Sequence, residues 1–403
     1  MTLSVVSLSE FIRRGDARRG AWVPSPDLVA SVSQIIAEVR LRGDAALVDY
    51  TRRYDDPGYD IAKLRLAIPM MDGARALVPP EIADALASEK ARIERFHERC
   101  RPPDVNFVDS DGTRYGVRYG PIASVALYVP GGPGSGPSSV LMSAVPAKLA
   151  GVPRTIVVTP PLPAGGVHPA LLFACSLCDI DELYVVGGAH AIAAAALGTE
   201  SIAPVQKIVG AGGAIVTEAK RQLFGTCEMD RVGAPPQTVV VADEGASSEY
   251  VVGELLAQSE RDTFASLAVI SESRALLDAV AQLIDTLGVH SLDGNCALLL
   301  ASGRRDVFEA IAAMQPDVLI VQARDPQPYL DRVKHVRTIL VGDMTPAASA
   351  RHALALPLLE FLQPCTVFEN SRERMLGDAQ QVAALCDFES LPNHAHAARL
   401  RNG

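Results

Sequence analysis

The sequence predicts an α/β protein with two incomplete Rossmann-like domains that contain parallel sheets, an N-terminal arm and a C-terminal helical tail. From residue 124 to residue 342, short apolar segments alternate with amphipathic segments of helical length. Aromatic residues make up only 5% of the chain, while Ala, Val and Leu are abundant, which is typical of parallel sheets covered by helices. Because β-α-β connections are right-handed, this alternation predicts parallel strands rather than hairpins.

Two helical segments precede the alternation, at 26–57 with a break at Gly43 and at 79–100. Four β-α units follow, and Pro235-Pro236 marks the passage to a second run of strands and helices. The predicted strands are 124–129, 155–159, 183–186, 205–210, 238–243, 266–271, 297–302, 317–321 and 337–342.

We expect the chain to divide into four parts. Residues 1–21 form the arm, and residues 22–123 together with 236–356 form a discontinuous first Rossmann-like domain. Residues 124–235 form the second domain, on the dinucleotide side. Residues 357–403 have little apolar material of their own, so this tail is expected to pack on a second subunit.

Composition and charge exclude several classes of partner. The chain has 403 residues and a formal net charge of −10, and its Lys and Arg residues are dispersed, which argues against nucleic acid binding. No apolar run reaches membrane-spanning length, and the N-terminus lacks the pattern of a secretory leader. The seven cysteines have irregular spacing, which favours reduced thiols. These features predict a cytoplasmic protein that binds a small molecule.

Glycine clusters follow three of the predicted strands. They are Gly131-Gly132 with Gly134 and Gly136, Gly187-Gly188, and Gly210 with Gly212-Gly213. Each cluster leads into a helix N-terminus, whose unpaired N–H groups suit phosphate oxygens. The strict GxGxxG fingerprint is absent, and tight turns alone would explain any single cluster. Three clusters at successive strand ends favour a ligand crevice that could hold a dinucleotide.

Long segments of the sequence resemble histidinol dehydrogenase, from about residue 25 to the end. The segments that carry the resemblance are 127–152, 182–202, 207–221, 239–243, 254–262 and 389–401. The resemblance implies a homodimer in which the exchanged tail completes the partner's active site. It also implies two NAD-dependent hydride transfers that convert an amino alcohol to an amino acid, a zinc ion that holds the substrate, and a Glu-His pair for proton transfer.

The family's zinc-binding motif, Gln-Ala-Glu-His-Asp, is altered here to Gln258-Ser259-Glu260-Arg261-Asp262. Arg261 stands at the His position, and a guanidinium offers no lone pair to a metal. The family's Asp ligand lies in a stretch that is deleted here, or it corresponds to Asp343 under a looser alignment. His394 matches the ligand in the tail. With so few donors left, we do not expect zinc.

Other family positions differ as well. Gln327 and Pro328 stand where the catalytic Glu and His would be, and Pro236 replaces a Ser that contacts substrate. Neither a Gln nor a Pro side chain exchanges protons at neutral pH.

The resemblance assigns the remaining candidate residues to two groups. In the cofactor group, Tyr128 is retained, while the family's Gln is His190 and its Asn is Gly213. The predicted cofactor-binding residues are Tyr128, Gly131, Gly132, His190 and Gly213. The predicted substrate-binding residues are Gln258, Arg261, His352, Glu389 and His394, of which His352 and His394 are the candidate catalytic bases.

Each of these residues also has a structural interpretation. His352 and His394 could be surface histidines, Glu389 a helix cap or solvated charge, and His190 a turn cap. Arg261 could bind a carboxylate or phosphate of the substrate, or it could form a salt bridge with Glu389 in the former metal site.

Three functions are therefore compared. We expect a metal-independent, NAD(P)-linked oxidoreductase or related enzyme that acts on a small polar or anionic substrate. The alternative is a non-catalytic ligand-binding or regulatory homodimer. The third is an active histidinol dehydrogenase. The sequence does not decide whether NAD is still bound, and zinc is not expected.

Overall fold

The computed structural model describes residues 4–13, 23–131, 136–163, 165–230, 232, 236–261, 265–289, 292 and 294–401. The strands are β1 (Val5–Ser7), β2 (Arg65–Leu66), β3 (Val105–Val108), β4 (Arg114–Pro121), β5 (Ser124–Tyr128), β6 (Arg154–Thr159), β7 (Glu182–Val185), β8 (Lys207–Val209), β9 (Glu228–Met229), β10 (Gln237–Ala242), β11 (Ser266–Ser271), β12 (Cys296–Leu300), β13 (Val318–Gln322), β14 (Thr338–Val341) and β15 (Leu362–Glu369).

Sixteen α-helices are present in the described part of the chain. They are α1 (Leu8–Arg13), α2 (Pro26–Arg42), α3 (Asp44–Tyr54), α4 (Ile68–Gly73), α5 (Pro80–His97), α6 (Pro137–Ala150), α7 (Pro169–Leu177), α8 (Gly188–Leu197), α9 (Ala214–Leu223), α10 (Ser248–Arg261), α11 (Arg274–Leu287), α12 (Arg304–Met314), α13 (Gln327–Arg332), α14 (Arg351–Leu354), α15 (Arg372–Phe388) and α16 (Pro392–Arg399). The predicted α/β class is confirmed.

Two six-stranded sheets form the body of the protein. Sheet I has the order β2-β7-β6-β5-β8-β9, and its strands are parallel except for the short edge strand β2. Sheet II has the order β1-β12-β11-β10-β13-β14 and is parallel throughout. The central strands are buried on both faces, as their continuous runs of Val, Ile, Leu and Ala require.

A third sheet was not predicted. β15, β4 and β3 form an antiparallel sheet in which Leu362 pairs with Pro121 and Glu369 with Arg114. The sequence analysis placed 362–369 in a helical tail because the segment is polar. In the structure most of its residues are exposed, so the strand carries no core-facing apolar run that would mark it.

The helices between residues 26 and 97 pack against sheet I. α2 contacts α8 and α9, α5 contacts α6, and β2 pairs with β7 at the sheet edge. The sequence analysis had grouped 22–123 with the strands that form sheet II. Residues in the predicted arm also join a sheet, since β1 pairs with β12 and Leu8 is buried. The remaining domain boundaries stay predictions.

The end of the chain forms two helices that pack mainly on each other. The small residues Ala383, Ala395 and Ala398 are buried between α15 and α16. In the same region Phe388 is 87% exposed. Among the described residues, no helix combines the length and the apolarity needed to cross a membrane.

Candidate functional site

Three helices begin at the carboxyl edge of sheet I with a glycine N-cap. α6 follows Gly136, α8 follows Gly187 and α9 follows Gly213, and a glycine has no side chain with which to cap its helix. The first N–H groups of α6 and α9 have no side-chain acceptor and can bind an anion, whereas the first N–H group of α8, that of Gly188, donates to the Tyr128 hydroxyl. A Cβ atom added to Gly136 or to Gly213 would meet open space, so ligand atoms can approach the backbone there.

Close contacts between the loops require glycine at this edge. A Cβ on Gly131 would lie 2.9 Å from Pro160 Cγ, and one on Gly187 would lie 2.5 Å from Pro160 Cβ. Gly210 has a φ of +114°, and its Cβ would lie 2.1 Å from the carbonyl oxygen of Tyr128. Gly132 of the predicted cofactor group lies outside the described residues.

Tyr128 ends the central strand β5 and reaches the start of α8. Its side-chain oxygen accepts a hydrogen bond from the backbone N–H of Gly188 at 3.1 Å. The residue is only 6% exposed, and burial raises the pKa of its hydroxyl to about 12. The hydroxyl therefore stays protonated near neutral pH and retains one hydrogen that it can donate.

His190 lies in the core. It is 2% exposed, and its Nε2 atom is 3.2 Å from Thr51 Oγ1 on α3. Burial lowers the pKa of its imidazole to about 3, so the ring is neutral near pH 7. The structure thus places this predicted cofactor residue at the packing contact between α3 and α8, where its hydrogen bond links the two helices.

Helix α10 carries the buried polar residue Glu254 and the buried, predicted substrate-binding residue Gln258. Glu254 accepts hydrogen bonds from Ala347 N at both carboxylate oxygens, each at 3.2 Å, and burial raises the pKa of this carboxyl. One turn later, Gln258 is 8% exposed and its Nε2 atom has no hydrogen-bond partner in the described structure. A buried amide without a partner is available to a ligand. Arg261 is the last residue of the helix, and its side chain lies outside the described structure.

The backbone of His352, on α14, is contacted by the side chain of His97, which ends α5. The His97 Nε2 atom is 3.2 Å from the carbonyl oxygen of His352, and the ring of Phe96 packs edge-on against both imidazoles. The Nδ1 atom of His352 is buried without a partner in the described structure. Segment 347–352 is therefore fixed by Glu254 at one end and by His97 at the other.

Sequence analysis missed both of these fixing residues. Glu254 precedes Gln258 by one helical turn, a spacing that places the two residues on the same helix face and could have drawn attention to it. His97 carries no such signal, because it ends an amphipathic helix far from His352 in the chain.

The remaining predicted site residues are not gathered around His352 within one chain. Glu389 and His394 are exposed, at the end of α15 and on α16. Gln327 begins α13, where its side-chain amide donates to Asp331 Oδ1 at 2.8 Å. Asp343 is exposed in the turn before Thr345.

Few of these residues are placed to donate to a zinc ion. Gln258 offers one buried amide, while Asp343 and His394 are exposed on separate elements. No group of three or more His, Cys, Asp or Glu residues in the described part of the chain could hold a metal ion. Within the described residues, a single chain therefore lacks the three or four donors that a zinc site needs.

The sequence and the fold both match known proteins. The family described as histidinol dehydrogenase matches residues 23–402. The histidinol dehydrogenase of Rhodospirillum rubrum is 38% identical over 400 residues, covering 92% of each chain, and that of Mesorhizobium japonicum is 37% identical, covering 94% of this chain and 93% of the relative. The crystal structure of histidinol dehydrogenase from Elizabethkingia anophelis superimposes with a TM-score of 0.90, covering 98% and 96% of the two chains at 23% identity, which supports the fold.

These relatives show that the expected function was wrong. We expected a metal-independent oxidoreductase on another substrate, with a non-catalytic dimer as the alternative, but relatives 34–38% identical over nearly the whole chain are histidinol dehydrogenases. The expectation rested on substitutions at three positions, Arg261, Gln327 and Pro328, whereas the sequence identity to the relatives extends over nearly the whole chain. The relatives also give no support to the expectation that zinc is not bound. The chain belongs to the histidinol dehydrogenase family.

Proposed function

We propose that this protein is an NAD-dependent dehydrogenase that oxidises the amino alcohol L-histidinol to the amino acid. The observation that carries the proposal is 38% identity to a histidinol dehydrogenase over 92% of both chains. The carboxyl edge of sheet I supports it, because the uncapped N-termini of α6 and α9 and the hydrogen that the Tyr128 hydroxyl can still donate are available there to a dinucleotide.

The reaction needs a group that accepts the hydroxyl proton of the substrate. Bound NAD supplies the hydride acceptor. The side chains of Gln327 and Pro328 cannot accept the proton, so we assign that role to the half-buried imidazole of His352. Its position is fixed by the contact between its backbone carbonyl and His97 and by the packing of Phe96.

The polar groups of the substrate need hydrogen-bonding side chains, and a single chain provides only some of these. Gln258 offers a buried amide without a partner in the described structure. Glu389 and His394 are exposed on the C-terminal helices, and in this proposal they enter the site of a second copy of the chain. A homodimer is therefore part of the proposed function.

The test is the formation of NADH by the purified protein on addition of L-histidinol, with the zinc content measured in the same preparation. We expect two NADH per histidinol and a large loss of turnover in H352Q. The matched control H335Q changes an exposed histidine on sheet II's side of the molecule and should retain the wild-type rate. Folded wild-type protein that forms no NADH from L-histidinol, with zinc added or not, would refute the proposal.

A further inference from the structure

Asp55 lies at the carboxyl end of sheet I, beside the start of α8. It caps the C-terminus of α3, where its backbone N–H donates to Thr51 O at 2.9 Å. Thr51 contacts His190 on α8, and the Tyr59 hydroxyl donates to Val185 O, the last residue of β7, at 2.6 Å. These buried contacts on either side fix the position of Asp55 at the edge where the proposed dinucleotide binds.

The Asp55 carboxylate makes no visible contribution to the fold. Its side chain is half-buried, and among the described residues it has no hydrogen-bond or ion-pair partner. Burial raises the pKa of this carboxyl, with no compensating contact. A negative charge at a helix C-terminus is also unfavourable, because that end carries partial negative charge. A residue that is held in place but costs stability calls for a functional explanation.

Its neighbour Asp56 has a structural role. Its carboxylate accepts a hydrogen bond from Gly58 N at 2.9 Å and from Lys63 Nζ at 3.1 Å. These two contacts lower the pKa of the Asp56 carboxyl. The two adjacent aspartates therefore differ. The Asp56 carboxylate accepts hydrogen bonds from its own loop, whereas the Asp55 carboxylate has no such partner among the described residues and is free to bind a ligand.

The surroundings of Asp55 indicate what that partner is. The charge of Asp55 acts on the Tyr128 hydroxyl, which in turn contacts Gly188 at the N-terminus of α8. A lone carboxylate accepts hydrogen bonds and repels phosphate, so it suits a neutral group with two adjacent hydroxyls. NAD offers such a pair in each of its ribose rings, whereas NADP carries a phosphate on one of them.

We propose that Asp55 recognises the hydroxyl groups of a ribose of the dinucleotide and so sets the preference for NAD. The inference rests on the proposed function, since it assumes that sheet I binds the cofactor. It adds a specificity-determining residue at the C-terminal cap of α3, a helix that lies outside the glycine loops.

The experiment compares the full-length protein with D55N and D56N, measuring the binding of NAD and NADP by calorimetry and the thermal midpoint of unfolding. We expect D55N to weaken NAD binding at least about tenfold, because a charged hydrogen-bond acceptor is lost. We also expect D55N to unfold at the wild-type temperature or above it. D56N should unfold at a lower temperature and retain the wild-type preference between the two cofactors.

The outcomes separate the two proposals. A relaxed preference in D55N supports the inference and assigns the contact to the adenosine ribose, where NAD and NADP differ, whereas an equal loss for NAD and NADP contradicts the proposed role of Asp55 in the preference. If D55N binds both cofactors as the wild type does, or if D56N changes binding in the same way, the inference is wrong while histidinol oxidation by the wild type still stands. If the wild type neither binds NAD nor oxidises histidinol, the proposed function itself fails.

Discussion

Lys220 and Asp230 form a buried ion pair that holds both polar groups of the Gly210 peptide backbone. Lys220 Nζ lies 2.7 Å from Asp230 Oδ1 and also donates to the carbonyl oxygen of Gly210. Asp230 Oδ2 accepts from Gly210 N at 2.8 Å. Both side chains are less than 10% exposed. The pair fixes the loop that leads from β8 to the uncapped N-terminus of α9.

Replacing Lys220 by Met should destabilise the protein by about 3–5 kcal/mol, because the buried Asp230 carboxylate and the Gly210 carbonyl oxygen would both lose the cation that they contact. The free energy of unfolding in urea measures the effect. The double variant K220M/D230N should recover part of the loss. The control R305M removes an exposed ion pair with Glu309 and should change stability by less than about 1 kcal/mol. A K220M variant as stable as R305M would show that the pair does not hold the loop.

Gly210→Ala should be among the most destabilising small substitutions in the chain. Its φ of +114° disfavours any L side chain, and the added methyl would meet the Tyr128 carbonyl oxygen at 2.1 Å. We expect a loss of about 3 kcal/mol or more in urea unfolding. Gly253→Ala is the matched control: this helical glycine faces open space, so alanine should stabilise α10 by roughly 0.5–1 kcal/mol. Equal effects at the two positions would contradict this explanation.

The sequence was sufficient to predict the parallel sheets. The strand at 124–128 and the strand at 266–271 were located within a residue or two, because buried parallel strands are continuous apolar runs bounded by loops. The β3-β4-β15 sheet was missed because its strands are largely exposed and pair distant segments. A pattern that depends on burial cannot reveal strands that bury little.

The candidate site was only partly predictable for a related reason. Gly-Gly-Ala-His190 after a strand predicted a ligand contact, but the partner of His190 is Thr51, 139 residues earlier in the chain. Likewise, the contact of Glu254 with Ala347 N spans 93 residues. Local spacing identified the glycine-capped helix starts, because these are properties of neighbouring residues. Which polar groups are buried together depends on packing between distant helices.

The buried His190 should make the stability of the protein depend on pH. The folded state keeps this imidazole neutral down to about pH 3, whereas an unfolded chain protonates it below about 6.5. Stability is therefore fully present above about pH 6.5 and falls as the pH decreases toward 3, by roughly 1.4 kcal/mol per pH unit.

Urea unfolding at pH 7 and pH 5 tests this dependence. Between these values, the wild type should lose about 2 kcal/mol more than H190Q, in which Gln cannot be protonated. H335Q, a change at an exposed histidine, should keep the wild-type slope. Identical slopes for H190Q and the wild type would show that His190 is not the group responsible.

The exposed apolar residues of the C-terminal helices predict that the protein is a dimer. Phe388 is 87% exposed and Leu385 is 58% exposed, a large amount of apolar surface for two helices that bury little else. We expect Phe388→Asp to shift the sedimenting species from dimer toward monomer, because a desolvated carboxylate would oppose association. Met344→Asp, at an equally exposed residue outside the tail, should leave the dimer intact.

If the proposed exchange of the tail completes the active site, F388D should lose histidinol oxidation at concentrations where it is monomeric and regain part of it as the concentration rises. A wild type that sediments as a monomer at all concentrations would exclude both the dimer and that role of the tail.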